Sequence, residues 1–553
     1  MRWVIVGVAL AGLIVGWRTF WFLTDDAYIA FRYISNSMLG AGYVWNPAPF
    51  LPVEGYTSLA WLWILEGIWR LTGVQPPDAA NWVSLSCSVV TLVLTAETLW
   101  RVTESRSHAL RYALLTLGLA FCVTNRTFLA WTSSGLETAL FNAGVAAWVY
   151  LAVFRFRSEA HVRVAGVPVI CGVAALLYLT RPDGILYCAA TLALCLPGVA
   201  RTGRSGWLRL APLLAVPIHL IWRKSFYGEW VPNTYVAKNA GAWPESGFRY
   251  LASFALEHGL WFWALVLVWA VAASRTRGSA EREERMKRRA RRAKSEGGLL
   301  SVPALLVLAT LGAHVGYYIL VIGGDHFEYR VLSHIVPFIA ISLVWALARS
   351  PFPTLRAVAL FASFWAVASV LPWIHWAESR DLTTRERTFM MKVAVAPSLP
   401  PALRWYGRGF DDLQFWLIDR YVAMRHQEHK VFARFQAEHF PDREEGARIT
   451  GDAFPVMRAQ GTGVPAWTLP HVAIIDGGGL SDYVIARTPL RPGKRREMAH
   501  DRRPPPGYVE SFRPNVDVSA GEVRVHEREV ALTADEIRAL EARWRAWIDS
   551  QGR

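Results

Sequence analysis

The sequence predicts an α-helical polytopic membrane protein of about eleven spans, with juxtamembrane helices at its outer face and a soluble α+β extracytoplasmic domain at its C-terminal end. Three observations carry that prediction. Apolar stretches recur between residue 3 and residue 374. Each runs about 20 residues, the length at which a helix rising about 1.5 Å per residue crosses the hydrocarbon core. The loops between them alternate in charge, and from Glu378 onward the chain becomes charged, Pro-rich and only locally apolar.

The first run, Trp3 to Leu23, follows Arg2 and has no small-x-small cleavage site; Asp25 and Asp26 come directly after it. It reads as a retained first span rather than a signal peptide. Further apolar runs lie near 57–72, 82–100, 111–124, 135–154, 164–179, 185–199, 208–222, 255–274, 299–322, 331–348 and 355–374. Five of the intervening loops are basic. They carry Arg101, Arg106 and Arg111; Arg155, Arg157 and Arg163; Arg201, Arg204 and Arg209; the stretch Arg275 to Lys294; and Arg349 with Arg356. The positive-inside rule assigns these loops to the cytoplasm. Counting 57–72 as a span would break the alternation. That run is short and carries Glu66 and Arg70, and a charge at mid-membrane costs about 2.5–3.5 kcal/mol on insertion scales. It therefore reads as a helix at the outer face or a re-entrant element. The N-terminus is then inside, and the chain divides into a membrane domain, 1–378, and an outer domain, 379–553.

The formal net charge of +15 has the same origin. A basic balance can signal nucleic acid, anionic lipid or topology. Here the excess sits in short loops and in the tail, so topology and the lipid bilayer explain it and no nucleic-acid partner is expected. Cys87, Cys122, Cys171, Cys188 and Cys195 all lie in apolar runs, with no CxxC or Cys/His pair; the outer domain has no disulfide and zinc is not indicated. In that domain Val472 to Asp476 reads as a strand. Thr533-x-x-Glu536 is a capping box opening a helix with Ile537, Leu540, Trp544 and Ile548 on one face. Gly477-Gly478-Gly479 lacks the Lys-Ser/Thr of a phosphate loop and reads as a turn.

Chemistry-bearing residues gather in the outer loops. Asp25 and Asp26 stand where the first span leaves the membrane, and Glu54 and Tyr56 follow in the same loop. Ionisable groups at such an interface are costly to place and suggest a site. Arg181 lies in a second outer loop, Asn233 and Lys238 in a third, and Asp325, His326 and Arg330 in a fourth. Taken singly, each has a bland reading: a helix cap, a snorkelling anchor, a loop hydrogen bond. Together they occupy one predicted face. Acids that can activate a hydroxyl and cations that can hold a phosphate suit transfer of a sugar from a lipid phosphate.

Several motifs also resemble those of the GT-C superfamily of polyprenyl-phosphate-sugar glycosyltransferases, in the branch that includes bacterial arabinofuranosyltransferases of the terminal β-(1→2) type. They are Asp25-Asp26-Ala27-Tyr28-Ile29-Ala30-Phe31-Arg32-Tyr33, Val44-Trp45-Asn46-Pro47 and Val53-Glu54-Gly55-Tyr56-Thr57-Ser58. Ser134-Gly135-Leu136-Glu137-Thr138, Arg181-Pro182-Asp183-Gly184, Pro232-Asn233-Thr234-Tyr235, Gly323-Gly324-Asp325 and the tail segment Ile474 to Arg487 follow in order. The resemblance implies a bacterial inner-membrane enzyme with a periplasmic C-terminal domain and inverting transfer to a cell-envelope glycan or glycoprotein. An acid of Asp25-Asp26 would be the general base, and Glu54 would help bind or orient substrate. Arg181 and Arg330 would hold phosphate, and the outer domain would help recognise the acceptor. Some relatives use a divalent cation near the first-loop acids and others none; Asp25 and Asp26 would be its ligands here. After Gly-Gly-Asp the segment 323–330 departs from the family pattern. The competing reading is a transporter or flippase of lipid-linked saccharides, against which stand the lack of an internal repeat and the clustering of polar groups at one face.

Overall fold

The computed structural model describes residues 1–155, 166–202, 204–276, 301–449, 454–490, 493–519 and 521–551. Most of the basic stretch Arg275 to Lys294, together with Arg157 and Arg163, lies outside them. Among the described residues seven helices are long and apolar enough to cross a membrane: Arg2–Thr19, Pro76–Val102, Pro182–Val199, Arg204–Tyr227, Val302–Ile322, Arg330–Arg349 and Thr354–Ser379. The pair Pro244–Glu257 and Leu260–Ser274, bent by 75°, has the length and apolarity of a broken span or a re-entrant loop. The bend falls at Gly259, whose φ of 57° is easy only without a Cβ. Three shorter apolar helices, His108–Thr124, Thr138–Phe154 and Val167–Thr180, complete the set. These helices occupy the positions at which the sequence places its spans. The chain is a polytopic helical membrane protein.

The run near 57–72 forms the helix Leu59–Thr72, 14 residues long, which is outside that set. Its Glu66 is buried yet fully engaged. It accepts from Ser37 Oγ at 2.9 Å, from Arg70 Nε at 2.8 Å and from the Tyr43 hydroxyl. A carboxylate so paired can leave water without an orphaned charge. The helix packs on the one that carries Asp25 and Asp26, Asp25–Met38.

Beyond Ser379 the chain mixes helices with two small sheets. Helices Arg404–Ile418 and His426–His439 come first. Strand Val456–Ala459 then pairs in parallel with Ala473–Asp476, with Val456 opposite Ala473. The crossover between them contains the short helix Gly463–Thr468. Val516–Ser519 and Glu522–Val525 form an antiparallel pair. In the last helix, Ala534–Gln551, the Thr533 hydroxyl accepts from the Glu536 N–H at 3.2 Å. Ile537, Leu540 and Ile548 are buried against Ile475, Val484 and Phe512, with Trp544 packed beside them. The strand, the Thr533 cap and the apolar face stand where the sequence has them; the Glu536 carboxylate, the other half of the predicted capping box, pairs with Arg513 instead.

A buried charge network pins the start of this region to the bundle. Arg425 donates to Glu257 through Nη1 at 2.6 Å and Nη2 at 2.8 Å. Glu328 pairs with Arg126 and Arg425, each at 3.0 Å. All four side chains are at most 2% exposed. Two cations against two anions leave no buried net charge, whereas deleting any one of them would.

Candidate active site

The helix Asp25–Met38 starts at the first turn after the first span, with Thr24 extended at its N-cap. Adjacent residues on a helix diverge by about 100°, so the two aspartates meet different surroundings. Asp25 is buried. Its Oδ2 accepts from the Gly463 N–H at 3.2 Å and its Oδ1 from the Val464 N–H at 2.8 Å. Burial pushes its carboxyl up to about 6, against the pull of these two bonds. Asp26 is partly exposed. It lines two cavities, one between the spans and one between the bundle and the outer domain.

The first cavity is walled by Tyr56, Trp61, Glu137, Arg181, Asp183, Tyr235, Tyr318, Asp325 and Arg330. Its charges come in pairs. Arg181 Nε donates to Asp183 Oδ1 at 3.2 Å, Nη1 reaches Glu137 at 3.4 Å, and Nη2 meets the Tyr318 hydroxyl. The other Asp183 oxygen meets His314 Nε2 at 2.7 Å and Tyr318 Oη at 2.9 Å. Arg330 pairs with Asp325 at 2.8 Å and 3.3 Å. These pairs hold rigid guanidinium edges at the wall, a geometry suited to an oxyanion.

The second cavity lies among Arg385, Glu428, His429, Phe432, Gln436, Arg458, Gln460, Asp476 and His500. Asp476 is buried; it accepts from the N–H groups of Gly478 at 2.9 Å, Gly479 at 3.2 Å and Ser481 at 2.7 Å. The three-glycine segment is thus the predicted turn, wrapped around an acid that burial pushes up.

The cavities share Asp26, Ile29, Lys238, His326 and Leu480. The Lys238 side chain has no hydrogen bond or ion pair among the described residues. Burial lowers its pKa while the charges of Asp26 and Asp325 raise it. His326 presents Nδ1 to the Tyr421 carbonyl at 2.9 Å, which makes Nδ1 the protonated nitrogen. Burial, with His429 and His500 nearby, holds its pKa well below the usual histidine range. Its Nε2 is therefore an acceptor.

Of the residues singled out in the sequence, Asp26, Tyr56, Arg181, Lys238, Asp325, His326 and Arg330 come together around the first cavity. Asp25 lines only the second. Glu54 and Asn233 line neither. Glu54 is held by Arg223 at 2.6 Å and 3.1 Å, and burial pushes its carboxyl up to about 7 against that pairing. The Asn233 amide donates to the carbonyls of Gly479 at 2.9 Å, Leu480 at 3.0 Å and Asp482 at 3.0 Å, and accepts from Arg487. It ties a membrane-domain loop to the outer domain. Arg385, Glu428 and Asp476 were not candidates; a charged residue in a long soluble tail carries no mark of its distance from a loop hundreds of positions earlier. In the pair Asp25-Asp26, each Asp25 oxygen accepts one backbone N–H, which leaves Asp26 the freer carboxylate. Among the described residues no group of three or more His, Cys, Asp or Glu is placed to hold a metal ion.

The chain is a many-span helical bundle with a mixed domain seated on one end and an acid at the seam, and it shares this fold with a solved structure. It is similar to the crystal structure of ArnT from Cupriavidus metallidurans bound to undecaprenyl phosphate, with a TM-score of 0.50 and 14% identity, over 87% of this chain and 86% of that one. In sequence it is similar to two terminal β-(1→2)-arabinofuranosyltransferases. The one from Mycobacterium tuberculosis is 27% identical over 273 residues, 46% of this chain and 42% of that protein. The one from Corynebacterium glutamicum is 25% identical over 354 residues, 59% of this chain and 48% of that protein. The matches thus span less than half the length of either relative. No family model matches the chain. The resemblance read from the first-loop motif and its companions is borne out.

Proposed function

We propose that the protein is an inverting glycosyltransferase. It moves a monosaccharide, arabinofuranose by analogy with the similar proteins, from a polyprenyl phosphate to a cell-envelope glycan or glycoprotein. The observation that carries this reading is the position of Asp26, an unpaired carboxylate where two cavities meet. The first cavity takes the donor. Its lipid phosphate sits against Lys238, with the Arg181 and Arg330 pairs behind it, and the prenyl chain leaves past Trp61, Tyr235 and Tyr317. The second cavity takes the acceptor glycan, whose hydroxyl reaches the anomeric carbon from the far side. Asp26 removes the hydroxyl proton as the new C–O bond forms. The bond to the phosphate breaks with its electron pair, and Lys238 meets the charge that grows on the departing oxygen. Attack opposite the leaving group inverts the anomeric centre. The His326 Nε2 accepts a hydrogen bond from a sugar hydroxyl. In this reading the protein sits in a bacterial inner membrane with its N-terminus in the cytoplasm, and residues 379–553 form a periplasmic domain.

The test is transfer by the purified protein in nanodiscs, from polyprenyl-phosphoryl arabinofuranose to an oligoarabinofuranoside. Product with an inverted linkage is expected, and Asp26→Asn should yield almost none. An Asp26→Asn variant with full activity would defeat the assignment. Passage of the intact lipid-linked sugar across vesicles, with no product, would point to a transporter.

A further inference from the structure

The helix that carries the two aspartates holds a second helix by both ends. Gly463–Thr468 has only six residues. It follows Gly461 and Thr462 of the second cavity wall and leads into the strand that ends at Asp476. At its start, the N–H groups of Gly463 and Val464 donate to Asp25. At its far end stands Arg32, 0% exposed. The Arg32 Nη1 donates to the carbonyls of Ala466 at 2.9 Å, Leu469 at 3.0 Å and Pro470 at 3.0 Å. Nη2 donates to Val472 at 2.9 Å and Nε to Trp45 at 3.0 Å.

The geometry explains itself from helix dimensions. Residues 25 and 32 lie two turns apart on one face, about 10.5 Å along the axis, and a six-residue helix spans about 9 Å. The anion meets the orphaned N–H end and the cation meets the orphaned carbonyl end, the arrangement that helix termini favour. There is no slack between the two helices: a Cβ on Gly463 would lie 1.8 Å from the Asp25 backbone oxygen. Arg32 has no acidic partner among the described residues; five carbonyl oxygens solvate it instead.

A buried arginine can serve stability alone. The place of this one argues for more, because the segment it grips joins Gly461 and Thr462 to Asp476, which line the second cavity beside Asp26. We propose that Asp25 and Arg32 are positioning residues, a two-point clasp that sets the acceptor-side wall against Asp26, and that Asp25 takes no part in proton transfer. The proposal rests on the transferase reading above.

The test uses the full-length protein in nanodiscs with Asp25→Asn, Arg32→Lys, Gly463→Ala and Asp26→Asn. Hydrogen–deuterium exchange of peptides covering 461–476 reads the clasp without reference to activity, and initial rates against each substrate read its consequence. The first three variants should exchange faster in 461–476 and unchanged in 138–150. Their acceptor KM should rise by about tenfold, the equivalent of one weakened hydrogen bond, with donor KM within about twofold of wild type. Asp26→Asn should leave exchange untouched and lose kcat. Asp25→Asn with wild-type exchange and a collapsed kcat would overturn the proposal, making Asp25 a chemical group. Faster exchange with both KM values unchanged would overturn it too. Should Arg32→Lys fail to fold, the other two clasp variants decide. Wild-type protein that transfers no sugar would sink the transferase reading itself, and the exchange data would still say whether the clasp exists.

Discussion

The two cavities that meet at Asp26 are built from different materials. Between the spans, the charged wall groups other than Asp26 and Lys238 are locked in ion pairs: Arg181 with Glu137 and Asp183, Arg330 with Asp325. Under the outer domain, imidazoles, amides and aromatic rings stand among the charges; Glu428 is paired with Arg385, but Asp25 and Asp476 are held by backbone N–H groups alone. The difference follows from the solvent each wall excludes. A charge among membrane helices needs a counter-charge, because hydrocarbon offers no water to share. At a protein seam, backbone dipoles and water suffice. Under the proposed function the contrast would also sort the ligands, a charged headgroup with the guanidinium edges and a neutral saccharide with the rings and amides.

The sharpest way to break that picture is at the shared point. Asp26→Asn should lower kcat by about 10²- to 10⁴-fold, the range that a positioned general base supplies, with both KM values near wild type. Steady-state rates at saturating donor and acceptor measure it. Arg181→Ala comes next and acts by another route. It strands Glu137 and Asp183 as buried acids without their cation, at a cost of about 3–5 kcal/mol. The expected outcome is a lower yield of folded protein and a lower melting temperature, read by fluorescence-detected size exclusion. Lys238→Met should be milder for the fold, since Lys238 has no partner to abandon among the described residues. It removes one charge-assisted contact, worth about 1.5–3 kcal/mol, and should weaken binding of polyprenyl phosphate by about 10- to 150-fold. If Lys238→Met binds the lipid phosphate as wild type does, the donor does not rest there.

How much of this was legible beforehand depended on whether a signal was local. The spans were, because bilayer thickness imposes a run length that a sequence displays directly. Leu59–Thr72 could be set aside because a crossing there breaks the charge alternation and because the run is short and carries Glu66 and Arg70. The candidates Arg181, Lys238 and Asp325 could be grouped because topology alone assigns their loops to one face. The roles within the group could not. Asp25 and Asp26 are chemically identical neighbours, and what separates them is a helical turn and two N–H groups lying 438 and 439 positions away. Asn233 looks like a ligand group in its loop, and its acceptors are backbone carbonyls of the outer domain. Arg32 stands inside a recognised motif, but carbonyl oxygens leave no trace in side-chain patterns.

The smallest expected effect tests the outer-domain half of the comparison through pH. Asp482 caps the helix Tyr483–Arg487, accepting from the Ile485 N–H at 2.9 Å and from the Tyr508 hydroxyl at 2.8 Å. Burial pushes its carboxyl up to about 7, above the value of an unfolded aspartate near 4. The native state therefore binds this proton more tightly than the unfolded chain does. Its contribution to stability is complete below about pH 4 and fades as pH rises through about 7, so folded protein gains on acidification from pH 8 to pH 5. Each pKa unit is worth about 1.4 kcal/mol, which sets the single-site gain over that window at about 2 kcal/mol. Asp25 and Glu54, also pushed up by burial, act with the same sign. Buried histidines such as His326 and His429, held below the usual histidine range, act with the opposite sign, so the Asp482 share is read by difference: Asp482→Asn, which mimics the protonated group, should lower the gap between the melting temperatures at pH 5 and pH 8 relative to wild type. An Asp482→Asn variant with an unchanged gap would mean that the backbone N–H and tyrosine hydroxyl hold this acid ionised as firmly as a guanidinium would.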